Sequence, residues 1–423
     1  MMEQFAMQFF RKLFNNKGIS LAAAWSFNQL AYAIVYPFIP IYLYQERGLP
    51  YTLVSLIFPL LGVAVILAPV PCGWLTDRYG HDKMMYAGQL LRGVIFFVLA
   101  FFVYIKAPFW VFAAALMFNT AVGCAFQVGS DAYLVSIAAP EERPSYYGKI
   151  RIGYNLGWAI GPMLGAFFAQ TPFWVFFILT GILCVIGTFY TQATCCRKQD
   201  DPAKNTSIKK EKSPVATEEP VWKTIFGKPR FILLMLGTLL LMMLASQLYS
   251  TMSVFSTQSV GISNKQLGSI YSLNGFMVLV LQLPVTALLT RMRVPLTIQL
   301  LLGTLLYTLG YFQLGFAAGA WFIAAAVIIV TLGEIVIQPA LYTAVSTEAN
   351  CGNAGRLLSV NSLMRGIGYS VGPWIGAQLF DKVPPLLLWG ILSAFAVASG
   401  IAFAASGCKS KRFSDGRKLH CGE

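Results

Sequence analysis

The sequence predicts an all-α membrane protein of twelve transmembrane helices, arranged as two pseudo-symmetric six-helix bundles. Three observations carry this. The 423 residues are 57% hydrophobic and only 11% charged, against roughly 25% charged in a soluble domain. Apolar runs of about 20 residues, long enough for a helix to cross a ~30 Å hydrocarbon core, recur along the chain. A pattern of glycine and proline in the first half also returns in the second at one fixed offset.

The first span, near 19–44, is long and interrupted by Pro37 and Pro40. More spans follow at once, so it reads as a retained helix and not a cleaved signal. The next five run near 52–73, 84–105, 108–137, 145–170 and 173–194. A polar, charged, proline-bearing stretch then reads as a linker, with a surface helix near 222–226. Six further spans lie near 230–257, 265–290, 295–316, 319–346, 355–380 and 384–406. The division is a bundle over 1–194, a cytoplasmic linker over 195–229, a second bundle over 230–407 and a basic tail over 408–423.

The net charge of +14 would suggest nucleic acid in a soluble protein, but its distribution explains it otherwise. Of the 31 Lys and Arg residues, 24 fall on one set of alternate links, including Arg78, Lys83, Arg143 and Lys149. The opposite links hold four, Arg47, Lys106, Lys265 and Lys382. This asymmetry places both termini in the cytoplasm and makes the charge a topology signal, with lipid as its partner and no nucleic acid. The expected setting is the plasma membrane, and the expected state a monomer.

The eight cysteines fall in spans or on the predicted cytoplasmic side, where thiols stay reduced, so no disulfide framework is expected. Cys195 and Cys196 are adjacent without a nearby His or second pair, and no metal site is expected.

The internal repeat lies in spans five and eleven. Gly148, Gly157, Gly161-Pro162 and Gly165-Ala166 match Ser359, Gly368, Gly372-Pro373 and Gly376-Ala377 at an offset of 211 residues. Residues 157, 161 and 165 share one helix face, as do 368, 372 and 376, and small residues there let another helix approach closely. Proline adds a local bend. The spacing fits plain helix packing and also a hinge or seal.

These features together resemble the major facilitator superfamily. The stretch "GWLTDRYGHDK" between spans two and three looks like its loop motif, with Gly73, Asp77, Arg78, Gly80 and Lys83 in place. The span-five pattern looks like the motif of the proton-coupled antiporter branch, with Ala166 replacing the last glycine. The resemblance implies a transporter of the export type and spans 1, 4, 7 and 10 lining a central cavity. It also implies a latch on the outward-facing state, with Asp77 near the start of span eleven and Arg78 near Asp131. An arginine common in the middle of span four of such exporters is missing; Asn119 and Gln127 stand in that span, and Arg92 or Arg151 are substitutes.

An ionisable residue at bilayer depth costs about 2.5–3.5 kcal/mol on insertion scales, so each is a site hypothesis. Glu334, in "VTLGEIVIQPAL" of span ten, lies close to the midplane and is the leading candidate for proton or cation recognition. A paired structural carboxylate is the competing reading. Gln338 lies one turn on, on the same face. Asp131, near the cytoplasmic end of span four, reads first as a gate or ion pair; Arg92, Arg151 and Arg365 complete the coupling candidates. Asn28, Tyr32 and Tyr36 in span one and Gln247 with Tyr249 in span seven are cavity candidates, against an alternative of plain packing.

The reading that results is a proton-coupled secondary transporter exporting an amphipathic, cationic small molecule. Export of a specific metabolite or siderophore, or proton-linked uptake, are the alternatives within the class. No phosphate-binding loop for ATP appears, so the proton gradient is the energy source and no cofactor is expected. No nucleophile elbow or histidine cluster supports an enzyme, and a non-transporting receptor or scaffold is the remaining alternative.

Overall fold

A helix can cross hydrocarbon because it satisfies its own backbone. The computed structural model of the chain describes residues 16–138, 142–168, 170–195, 229–348 and 354–407, and among these every regular element is helical. Arg11, Lys12, almost all of the linker with its expected surface helix, the basic tail with His420, and Cys196, Cys351, Cys408 and Cys421 lie outside the described residues.

Helix α1 begins as Lys17–Val35, with the Asn16 side chain accepting from the Gly18 and Ile19 N–H groups. It continues as short turns, Tyr36–Phe38, Ile39–Ile41 and Tyr42–Glu46. Pro37 and Pro40 cause the break, because neither donates to the helical ladder. Helices α2 (Tyr51–Tyr79), α3 (His81–Tyr104), α4 (Phe109–Ile137), α5 (Arg143–Phe167) and α6 (Trp174–Thr194) complete the first half. The second half is α7 (Pro229–Gln258), α8 (Asn264–Arg291), α9 (Leu296–Phe316), α10 (Ala320–Thr347), α11 (Ala354–Phe380) and α12 (Pro385–Ser406). Helix α7 is also broken, by a 3-10 turn over Ser246–Tyr249.

Among the described residues nine of these helices are long and apolar enough to cross a membrane, against the twelve spans the sequence suggests. The other three are α1, α5 and α11. The continuous part of α1, Lys17–Val35, is long enough at 19 residues, but Lys17, Asn28 and Gln29 dilute its apolar run. The apolar run is diluted in α5 by Arg143, Lys149, Arg151 and its glycines, and in α11 by Arg356, Arg365 and its own glycines.

The helix neighbours repeat with the sequence. In the first half α1 packs on α5 and α6, α3 on α4 and α6, and α2 on α4. In the second, α7 packs on α11 and α12, α9 on α10 and α12, and α8 on α10. The halves meet through α5 against α8 and α2 against α11, which are one contact and its symmetry counterpart.

The glycine repeat builds the two intra-half seams. A Cβ added at Gly157 would lie 2.6 Å from the Leu30 nitrogen, and one at Gly165 2.6 Å from the Ile34 oxygen. Gly368 meets Met242, Gly372 meets Met243 and Ser246, and Gly376 meets Thr251 and Gln247. These glycines therefore press α5 onto α1 and α11 onto α7. Gly148 does not share this role, since a Cβ there would meet nothing within 4 Å.

"GWLTDRYGHDK" is not the loop its charge suggests. Gly73 to Tyr79 continues α2, and only Gly80 separates it from α3. At φ 88° and ψ 150° Gly80 occupies a region that side chains exclude, and so turns the chain in one residue.

Candidate functional site

The two ends of the molecule differ. At the end away from the basic links the halves are closed: Tyr51, fully buried, packs on Phe380 at 5.2 Å and its hydroxyl lies 3.4 Å from Thr251 Oγ1. Gln45 donates to Thr257 Oγ1 at 2.9 Å. Further along, Gly62 of α2 touches Ser370 of α11. Toward the basic face the same two helices part, and an added Cβ at Gly73 or Gly366 would meet nothing within 4 Å.

Asp77 and Arg78 are accordingly exposed. Arg78 lies over its own neighbours, 5.2 Å from the Trp74 ring and 5.5 Å from Tyr79. The expected contact of Arg78 with Asp131 is not formed in this conformation, and Asp131 instead lies near Tyr147 of α5. Lys83 stands in the first turn of α3, where His81 and Asp82 form a 2.7 Å contact.

Between the closed and open ends lies a polar, aromatic cleft. Glu334 of α10 is its acidic centre. Asn274 of α8 stands within hydrogen-bond reach of the carboxylate, and both Arg151 of α5 and Arg365 of α11 act on its charge. Tyr154, Tyr249, Tyr307 and Tyr369 surround it from four helices. Each arginine is held by a glutamine: Arg365 donates to Gln338 Oε1 at 2.7 Å, and Arg151 to Gln282 Oε1 at 3.3 Å.

The position of Gln282 follows from a proline. Pro339 has no N–H to give to the Ile335 carbonyl one turn earlier, which would leave a buried acceptor unpaired. Gln282 Nε2 donates to that carbonyl at 3.0 Å. Its amide thus joins the bent part of α10 to Arg151 in the opposite half.

The first half holds a second polar centre. Arg92 is only 7% exposed, and donates through Nε to Asn119 Oδ1 at 3.3 Å and through Nη1 to Asn28 Oδ1 at 2.9 Å. Its guanidinium lies 5.3 Å from the Tyr32 ring and 5.6 Å from Phe96. No carboxylate pairs with it among the described residues.

An aromatic line connects the centres. Tyr32 stacks on Tyr36 at 4.7 Å, both rings meet Trp158 at 6.2 Å, and Trp158 meets Tyr249 of the other half at 4.7 Å. The Tyr249 hydroxyl donates to Asn274 Oδ1 at 2.9 Å, and Asn274 donates to Thr331 Oγ1 at 2.8 Å.

Among the sequence candidates, the structure gathers Glu334, Arg151, Arg365, Gln338 and Tyr249 in one place, and Arg92, Asn28, Asn119 and Tyr32 in another. Gln247 is not in the cavity wall as expected. It is fully buried and donates to the Met243 and Gly372 carbonyls, at 3.0 and 2.7 Å, clamping α7 to α11. Even on a regular helix it would stand about 200° from Tyr249, two residues on, so the two do not share one wall. Gln127 is exposed and joins neither centre. Trp158, Asn274 and Gln282 were missed by the sequence reading. Trp158 and Tyr369 do stand at the repeat's own offset of 211, a signal that could have found both.

The sequence profile of the Major Facilitator Superfamily matches residues 21–373. The chain belongs to the Major Facilitator Superfamily. Over 389 residues it is 24% identical to an uncharacterized MFS-type transporter, YqjV of Bacillus subtilis strain 168, covering 90% of each chain. It is 23% identical over 368 residues to the multidrug resistance protein MdtH of Edwardsiella ictaluri, covering 86% of this chain and 87% of the relative. In structure it is similar to the nucleoside transporter NupG, with a TM-score of 0.73 at 13% identity over 93% of this chain and 100% of that one. A peptide transporter POT structure superposes with a TM-score of 0.72 at 17% identity, over 93% and 94% of the two chains. As a superfamily member the chain is a membrane transporter, and at these identities the solved structures speak for its fold alone.

Proposed function

We propose that this transporter is a proton-coupled antiporter that exports amphipathic, cationic small molecules by alternating access. In this reading the chain crosses the plasma membrane twelve times as a monomer, with both termini and the basic links in the cytoplasm. The boundaries follow the sequence: bundles over 1–194 and 230–407, joined by the 195–229 linker.

The observation that carries the proposal is the placement of Glu334 at the meeting of the two halves, with Arg151 from one and Arg365 from the other acting on its charge. An ionised Glu334 attracts a cationic ligand into the tyrosine-lined cleft and draws both arginines inward. A proton on the same oxygen removes both attractions, so proton and cation compete for one site. Alternation follows when each partner is released to the side where the cleft then opens. The likeness to multidrug resistance proteins supports export of this class of substrate.

Inside-out vesicles carrying the protein and an imposed pH gradient test the reading. Glu334→Gln at normal abundance is expected to abolish proton-driven uptake of a lipophilic cationic dye. Unchanged proton-driven uptake would remove Glu334 as the coupling acid.

A further inference from the structure

We infer that Arg92 is the anion-binding pole of the cleft and that the preferred substrates are amphipathic zwitterions. The negative group would sit at Arg92 in the first half and the cation at Glu334 in the second. This inference rests on the export reading and adds the substrate class to it.

The first ground is charge. A guanidinium held about 93% away from water is costly unless an anion compensates it, and the neutral amides of Asn28 and Asn119 supply none. Two of its three nitrogens are used by those amides, and Nη2 has no hydrogen-bond partner among the described residues. The two asparagines hold the planar group still, so a bidentate acceptor would meet an oriented donor.

The second ground is continuity. The Tyr32 ring under Arg92 meets Trp158, Trp158 meets Tyr249, Tyr249 bonds to Asn274, and Asn274 is the neighbour of Glu334. Unlike charges thus stand at the two ends of one aromatic wall, each on its own half. A flat ligand with a carboxylate at one end and a cation at the other would pair with both and stack between. What sets Arg92 apart from Arg151 and Arg365 is the carboxylate beside them: those two act on the charge of Glu334, whereas no carboxylate among the described residues pairs with Arg92.

The test uses rhodamine 110, a xanthene cation with a free carboxylate, and its methyl ester rhodamine 123. Binding to the purified full-length protein is followed by fluorescence anisotropy at neutral pH. The wild type is expected to bind the acid about tenfold or more tightly than the ester, the gain of one charge-assisted hydrogen bond. Arg92→Gln is expected to lose that preference through a loss of affinity for the acid that the ester does not share, and Arg92→Lys to keep part of it. Equal affinity of the wild type for the two dyes, binding of neither, or an equal loss on both dyes in Arg92→Gln would overturn the inference. Failure of the export reading is distinguishable, since it would appear as dye uptake indifferent to the pH gradient while the Arg92-dependent preference persisted.

Discussion

The Ile335 carbonyl offers a sharp test of how the site is braced. Gln282→Leu removes the amide that donates to this carbonyl at 3.0 Å and accepts from Arg151 at 3.3 Å. The carbonyl is buried in a bent helix with no N–H behind it, so its desolvation cost, about 1–3 kcal/mol, should appear in full. Arg151 is exposed and can turn to water, so its own loss should add little. Pro339→Ala returns an N–H to position 339, which can take the Ile335 carbonyl in the ordinary helical way. In that background Gln282→Leu should cost less than about 1 kcal/mol, because the acceptor is no longer an orphan. Unfolding of the purified protein in mixed micelles with increasing SDS, followed by tryptophan fluorescence, measures both steps. Strictly additive losses in the double variant would refute the reasoning.

Other expectations follow from the same geometry. Gly161→Ala would put a Cβ 2.5 Å from that of Ala33, and should lower stability by about 1–3 kcal/mol, whereas Gly148→Ala meets nothing and should be neutral in the same assay. Gly80→Ala, at φ 88°, should cost about 1–3 kcal/mol, and equal melting temperatures of variant and wild type would disprove the strain. Asp77→Asn should slow transport without weakening dye binding, since Asp77 is exposed here and would act only when the basic face closes; an unaltered rate would remove the latch.

Much of the fold was legible because hydrocarbon imposes a length on each helix and the repeat imposes a partner. The spacing of Gly157, Gly161 and Gly165 pointed to close approach, and the seam with α1 is where it occurs. Glu334 stood out because a charge in an apolar run needs a reason. What the sequence hid was direction. Asn274 and Gln282 are single amides in α8, and nothing local tells which of them faces Glu334 and which faces a carbonyl freed by Pro339 two helices away in sequence. Gln247 was misplaced because it was grouped with Tyr249, two residues on, which a helix turns about 200° away; its amide lies on the Met243 and Gly372 carbonyls instead. The charge of "GWLTDRYGHDK" was read as a loop because six further helical residues after Gly73 carry no periodicity of their own.

The touch between Gly62 and Ser370 has a mechanical consequence. Gly73 lies eleven residues further down α2, about 16 Å along the axis. With the Gly62 contact as a fulcrum, tilting α2 by about a tenth of a radian carries Gly73 only about 1.6 Å over that arm. Asp77 lies a further turn beyond Gly73, so the same tilt carries it farther, and α2, packed on α4, would make that swing only by moving with it. With no side chain at position 62 the backbone of α2 comes directly onto Ser370, which keeps the pivot narrow and lets the half turn about it as a lever.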